Sequence, residues 1–124
     1  MFWENIVSDI KLSGEKIVKK DIVKTGTFNI EIVRLEKDQE ITPHPEPYAV
    51  FFLVLQGSGI FSTEKGTFLL QKDSSIYYEK NELRGIKSDE QLILLGIQIL
   101  IRRIIFFCDY YLILVSFNHF RRFK

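Results

Sequence analysis

The segment from Ile41 to Gly59 contains the side chains whose types and spacing could do chemistry. His44 and Glu46 are two positions apart, so on a strand they share one face. An imidazole beside a carboxylate can bind a ligand, transfer a proton or supply two ligands to a metal ion. The alternative is structural: a histidine at the proline-rich start of a strand that hydrogen-bonds to the backbone or to Glu46. Both interpretations stay open at this point.

Tyrosines and one arginine could complete such a site. Tyr48, Tyr77 and Tyr78 can offer hydroxyls to a small ligand, although tyrosine at a strand end more often packs with its hydroxyl in water. An inward carboxylate is costly unless it is paired, and we predict that Arg84 pairs with Glu46. The predicted ligand-binding residues are His44, Glu46, Tyr48, Tyr78 and Arg84.

Strands joined by turns must position these side chains. Thr27–Lys37 alternates, with Phe28, Ile30 and Ile32 on one face, and Tyr48–Leu55 is apolar on both faces, which is typical of a strand buried between two layers. Turn signals recur about every 8–12 residues, as in a sandwich or barrel. Other predicted strands are Lys16–Lys24, Ile41–His44, Ile60–Thr63, Thr67–Gln71, Ile76–Tyr78, Arg84–Lys87 and Gln91–Gln98. Predicted core phenylalanines are Phe51, Phe52, Phe61 and Phe68.

Composition indicates one folded domain with flanking segments. The 124 residues suffice for a single domain, and 46% apolar content argues against disorder. The formal net charge of +1 provides no basic field for nucleic acid. We divide the chain into an N-terminal segment at 1–15, with Asn5–Leu12 a short helix or edge strand, strands at 16–99, and a basic, apolar tail at 100–124.

The single cysteine and the N-terminus indicate the compartment. Cys108 excludes an internal disulfide and a cysteine-rich zinc site, and we expect a buried, inert thiol. The first residues lack the basic region and apolar stretch of a secretory signal. A reducing cytoplasm is therefore the predicted location.

The pattern from about residue 25 to residue 99 resembles the cupin family of small jelly-roll barrels. His44-Pro45-Glu46 stands where the first cupin motif has His-x-His, Val50 stands where its glutamate falls, and Gly57 matches the closing glycine. Lys72-Asp73 takes the place of Gly-Asp in the second motif, and Ile76-Tyr77-Tyr78 leads into its turn. Leu83 or Arg84 stands at its final histidine. Ser88–Glu90 and Gln91–Gln98 resemble the last hairpin and strand.

This resemblance implies an all-β, double-stranded β-helix barrel at residues 16–99 with an apolar C-terminal appendage. It also implies that the metal motif is degenerate. A cupin metal centre needs three or four converging imidazole and carboxylate ligands, and His44 and Glu46 supply two. Val50 and Leu83 cannot coordinate a metal, and Arg84 would repel a cation. We therefore predict no cofactor, with a divalent transition metal on His44 and Glu46 as the alternative.

Two classes of function follow. The first is a barrel that binds a small ligand or has a structural role, and that pairs as a homodimer, as the resemblance implies. The alternative is a metal-dependent enzyme of the dioxygenase or isomerase type that uses His44 and Glu46. Nucleic acid is not an expected partner.

The C-terminal tail allows three interpretations. Its apolar stretch, Ile104–Phe117, contains Asp109 and is shorter than the about 20 residues of a membrane-spanning helix, so membrane contact is not favoured. The tail could instead pack as an extra element on the barrel or on a dimer partner. Its composition also fits an altered reading frame in an AT-rich gene.

Overall fold

The computed structural model describes residues 1–12, 14 and 16–100, and this part of the chain is built almost entirely of β-strands. The predictions for Cys108 and for the tail from Ile101 onward, His119 included, lie outside the described residues. The elements are helix α1 (Ile6–Asp9) and strands β1 (Val18–Lys24), β2 (Phe28–Leu35), β3 (Glu40–His44), β4 (Ala49–Gln56), β5 (Ser58–Thr63), β6 (Gly66–Gln71), β7 (Ser75–Tyr78), β8 (Arg84–Ser88) and β9 (Leu92–Ile99).

Two antiparallel sheets form the barrel. One contains five strands in the order β1-β2-β9-β4-β7, and the other contains four in the order β3-β8-β5-β6. Each predicted strand has a counterpart, with ends that differ by one or two residues. The predicted all-β architecture is therefore confirmed.

The core lies between the two sheets. It combines Val50, Phe52 and Val54 of β4 with Phe61 of β5 and Ile86 of β8, from opposite sheets. Because side chains alternate along a strand, the opposite face of β4 points outward. No second layer of described residues buries that face, where Phe51 is 37% exposed. The prediction that β4 is buried on both faces was wrong.

Two of the four predicted core phenylalanines, Phe52 and Phe61, are buried. Phe51 is on the outer face of β4, and Phe68 is 50% exposed on β6, which pairs only with β5 in the described sheets. A strand at a sheet edge has a neighbour on one side only, so an apolar side chain there loses less contact with water.

The face of β2 that points into the barrel carries polar as well as apolar residues. Val33 belongs to the core, and Asn29 and Glu31 share its face and are also buried. The opposite face is covered from the N-terminal side, because Arg34 donates hydrogen bonds to the carbonyls of Leu12 and Gly14. The sequence predicted the alternation of this strand but did not assign its inward face.

The N-terminal segment begins with a single helical turn. Asn5 caps α1, and its side chain accepts a hydrogen bond from the backbone N–H of Ser8 at 3.1 Å. Of the helix and edge strand that the sequence left open, the structure contains the helix. In the described part of the chain, no helix is long and apolar enough to cross a membrane.

Candidate functional site

His44 and Glu46 contact each other where β3 ends. Pro43 has no N–H to donate to the sheet, and the pairing of β3 with β8 shifts register between Ile41 and His44. Beyond that point the His44 Nε2 lies 2.8 Å from the Glu46 Oε2, and the Nδ1 lies 2.8 Å from the Thr42 carbonyl oxygen. Each ring nitrogen therefore lies within hydrogen-bond distance of an oxygen atom.

Arg84 lies directly across the sheet from His44 and is 6% exposed. Its Nη2 donates to the carbonyls of Tyr48 at 2.9 Å and Glu79 at 2.8 Å, and its Nε donates to the carbonyl of Glu82 at 3.3 Å. One side chain therefore connects the start of β4 to both ends of the β7–β8 loop.

Two tyrosine rings surround the same guanidinium. The Arg84 Cζ lies 5.4 Å from the ring centroid of Tyr48 and 5.4 Å from that of Tyr78, within the range of cation–π attraction. Burial lowers the pKa of Arg84, and the nearby Tyr48 and Glu46 oppose that shift. An arginine remains protonated under these conditions, so the barrel interior holds a positive charge.

The predicted ion pair between Glu46 and Arg84 was wrong. No contact of 4.0 Å or less joins their charged groups, and Glu46 pairs with His44 instead. The physical reason is local: residues two apart on an extended chain meet without any tertiary constraint, whereas Arg84 finds three backbone carbonyls closer to its own strand.

These side chains line a cavity of about 30 Å³ between the sheets. A cavity of this size holds one or two water molecules or one small functional group, since a single water needs about 10–15 Å³. Lys19 is exposed, and the side chains of His44 and Glu46 are 39% and 31% exposed, so these three residues lie on the solvent side of the cavity. The lining residues are Lys19, Glu31, Val33, Ile41, His44, Glu46, Tyr48, Val50, Phe52, Arg84 and Ile86.

Glu31 is the site residue that the sequence did not reveal. It is 4% exposed, and burial raises its pKa, with Lys19 partly opposing the shift. Gly96 on β9 faces it, and a Cβ at Gly96 would lie 3.1 Å from the Glu31 Cγ. The sequence did contain a signal for Glu31, because it lies on the same strand face as Val33 and Leu35. The other face, with Phe28, Ile30 and Ile32, looked equally apolar, so the sequence did not distinguish the two.

Tyr78 was predicted to offer its hydroxyl to a ligand, and its position in the structure differs. The side chain is fully buried, its hydroxyl donates to the Ser62 carbonyl at 2.8 Å, and it does not line the cavity. Burial raises its pKa. Its ring instead packs edge-on against Phe52 and beneath Arg84.

The positions that the sequence equated with cupin metal ligands do converge. His44, Glu46, Val50 and Arg84 all line the cavity, whereas Leu83, the other residue that the sequence offered for the final histidine, is 44% exposed and does not line it. Two of the four can coordinate a metal. Among the described residues, no three histidine, cysteine, aspartate or glutamate side chains are grouped to hold a metal ion. The donor set therefore does not fit a cupin metal centre.

A second, wider groove lies elsewhere. It measures about 750 Å³ and runs between β6 and the β7–β8 loop, with Phe68, Leu70, Ile76 and Tyr77 among its lining residues. None of the predicted site residues His44, Glu46, Tyr48, Tyr78 and Arg84 lines it.

Comparison with solved structures shows that the fold is the cupin barrel. The chain superimposes on a cupin superfamily protein from Desulfitobacterium hafniense with a TM-score of 0.72 at 12% identity, over 82% of this chain and 95% of that one. No protein-family model matches the sequence, and no curated protein matches it.

Two further solved structures share the fold. A cupin 2 conserved barrel domain protein from Leptotrichia buccalis gives a TM-score of 0.67 at 22% identity, over 75% of this chain and 45% of that one. A DMSP lyase from Ruegeria pomeroyi gives a TM-score of 0.64 at 11% identity, over 67% and 46%. Similarity at these identities establishes the fold and leaves the function to the site.

Proposed function

We propose that this cupin-fold barrel binds a small molecule at the cavity beside His44, Glu46, Tyr48 and Arg84, and that it does so without a complete metal site. The observation that carries the proposal is the cavity that His44, Glu46, Val50 and Arg84 line together. Val50 belongs to the core cluster as well, but most of that cluster, including Phe61, Leu92 and Leu94, lies outside the cavity lining. The same geometry is consistent with a structural role.

Metal analysis and ligand screening test the proposal together. Full-length protein purified without chelators should contain less than one tenth of an equivalent of transition metal, about the level of an adventitious ion. A screen of small molecules should then shift nuclear magnetic resonance signals from residues around the cavity. The His44→Ala variant serves as the matched control for metal content.

The second candidate function is a metal-dependent enzyme. The observation that favours it is the partly exposed His44–Glu46 pair. Both side chains are accessible from solvent, and both can act as metal ligands. A transition metal near one equivalent, lost in His44→Ala, would overturn the first proposal and support this one. Reactions of the dioxygenase or isomerase type would then be the ones to assay.

We also propose that the protein pairs as a homodimer through the outer face of β5 and β6. Ile60 and Leu69 are cross-strand partners on this face, with Leu69 61% exposed. Paired exposed apolar side chains are typical of an interaction surface. Light scattering should give a dimer mass for the full chain and a monomer mass for Leu69→Lys. Thr27→Lys, at an exposed position between β1 and β2 of the other sheet, serves as the control.

A further inference from the structure

The cavity beside Arg84 limits what can enter it. Its volume of about 30 Å³ excludes a whole organic molecule, since small-molecule pockets usually measure about 300–1,000 Å³. One small functional group fits. The rest of a larger molecule would lie outside, next to the partly exposed His44 and Glu46.

Arg84 indicates which functional group that is. Its Nε and Nη2 donate to neutral backbone carbonyls, and its Nη1 is buried without a hydrogen-bond partner in the described part of the chain. No carboxylate of the described residues lies within 4.0 Å of its charged group. A buried cation is costly unless it is paired, and the guanidinium geometry matches a carboxylate.

The other charges around the cavity allow an anion. Lys19 adds a second positive charge to the lining. The Glu46 carboxylate is held by His44 at 2.8 Å. Burial raises the pKa of Glu31, with Lys19 partly opposing the shift. Neither cation of the lining has a carboxylate within 4.0 Å among the described residues, and of the two Arg84 is buried whereas Lys19 is exposed.

We propose that the cavity binds the carboxylate group of a small organic acid through Arg84, an inference that rests on the proposed small-molecule function. The acid is recognised by its negative charge and by an oxygen that accepts from the Nη1 N–H groups, the donors of Arg84 that have no partner in the described part of the chain. Arg84 then occupies the position of a cupin metal ligand and provides the positive charge that a metal ion would otherwise bring.

Acetate and acetamide provide a matched pair of probes, because they have the same shape and differ in charge. We would titrate the isotope-labelled full chain with each compound and follow the methyl resonances of Val33, Val50 and Ile86, which line the cavity. Acetate should shift these resonances in a saturable way. Acetamide, and sodium chloride at the same ionic strength, should not.

Two arginine variants locate the site. Arg84→Met should weaken acetate binding at least about tenfold, since a charge-assisted hydrogen bond is lost. Arg34→Met removes another buried arginine that does not line the cavity, and it should bind acetate as the wild type does. If Arg84→Met does not fold, Val50→Ile tests the same point, because the added methylene occupies much of the cavity and should abolish binding.

The outcomes separate this inference from the function it rests on. Saturable binding of acetate and acetamide with equal affinity would overturn carboxylate recognition and leave small-molecule binding intact. Acetate binding that survives in both Arg84→Met and Val50→Ile would place the anion elsewhere and overturn the inference. If neither probe shifts the cavity resonances while Mn²⁺ or Zn²⁺ alone does, both proposals fail.

Discussion

Arg84 joins three backbone carbonyls and two aromatic rings inside the barrel. Its removal would take a donor from the carbonyls of Tyr48 and Glu82, whereas the Glu79 carbonyl would keep the N–H of Glu82, which donates to it at 3.1 Å. A buried polar group that loses its partner costs about 1–3 kcal/mol. The residue therefore has a structural role that does not depend on any ligand.

We expect Arg84→Met to lower the free energy of unfolding by about 2–4 kcal/mol. Lys87→Met, on the exposed face of the same strand, should change it by less than about 0.5 kcal/mol. Urea denaturation of the two variants and the wild type measures the difference. Equal stability of all three proteins would show that the carbonyl contacts of Arg84 contribute little.

Glu31 gives the stability a dependence on pH. Burial raises its pKa in the folded state above the ordinary value of 4.5. The folded protein therefore holds this proton more tightly than the unfolded chain, and the contribution of Glu31 to stability falls as pH rises from about 4.5 through the folded pKa.

Replacement by glutamine removes this titration. We expect Glu31→Gln to gain stability relative to the wild type as pH rises from 4 to 7, measured by denaturant unfolding at several pH values. Glu64→Gln, on an exposed turn, should follow the wild-type profile. A constant difference between Glu31→Gln and wild type across this range would contradict a raised pKa at Glu31.

At the scale of elements, the turn between β4 and β5 depends on one glycine. Gly57 has φ of 84°, in the left-handed region, and a Cβ there would lie 1.8 Å from the Gln91 carbonyl oxygen. Backbone, not a flexible side chain, occupies that space. The turn that separates two core strands therefore tolerates no side chain at this position.

We expect Gly57→Ala to lower the free energy of unfolding by about 2 kcal/mol or more. Gly26→Ala is the control, because a Cβ at Gly26 meets no atom within 4 Å. It should be neutral or slightly stabilising. Thermal unfolding followed by circular dichroism compares the two, and similar melting temperatures would contradict the close approach to Gln91.

The N-terminal segment is attached to the barrel through Arg34, which donates to the carbonyls of Leu12 and Gly14. In Arg34→Met, we expect the amide protons of Asp9 and Ile10 to exchange about tenfold faster or more, since hydrogen bonds from a charged donor are lost. Lys20→Met, on an exposed position of β1, should leave that exchange unchanged. Hydrogen–deuterium exchange with mass spectrometry gives the readout, and unchanged rates in Arg34→Met would show that other contacts hold the segment.

At the scale of the whole molecule, both sheets and the core cluster are complete within the described residues. Strand β9 ends at Ile99, and the Leu100 N–H donates to the Thr27 carbonyl at 2.8 Å. We expect a chain that ends at Leu100 to keep the β-sheet circular dichroism and cooperative unfolding of the full chain. A truncated chain without a cooperative transition would show that the remaining 24 residues are needed for the fold.

The sequence by itself determined the strands, the turns and the two-residue spacing that lets His44 reach Glu46, although the partner predicted for Glu46 was Arg84. These depend on neighbours along the chain: alternation defines a strand, glycine defines a turn, and two residues of separation bring an imidazole to a carboxylate. The resemblance to cupins rested on the same local patterns, and the fold confirms it.

The tertiary structure decided which face of each strand is inward. Either face of β2 could have pointed inward from its sequence alone. The N-terminal segment covers one face, and Glu31 on the other face lines the cavity. The partner of Arg84 depended in the same way on which carbonyls the β7–β8 loop brought near it. Contacts between distant parts of the chain, and the size of the cavity they leave, arise only when all strands pack together.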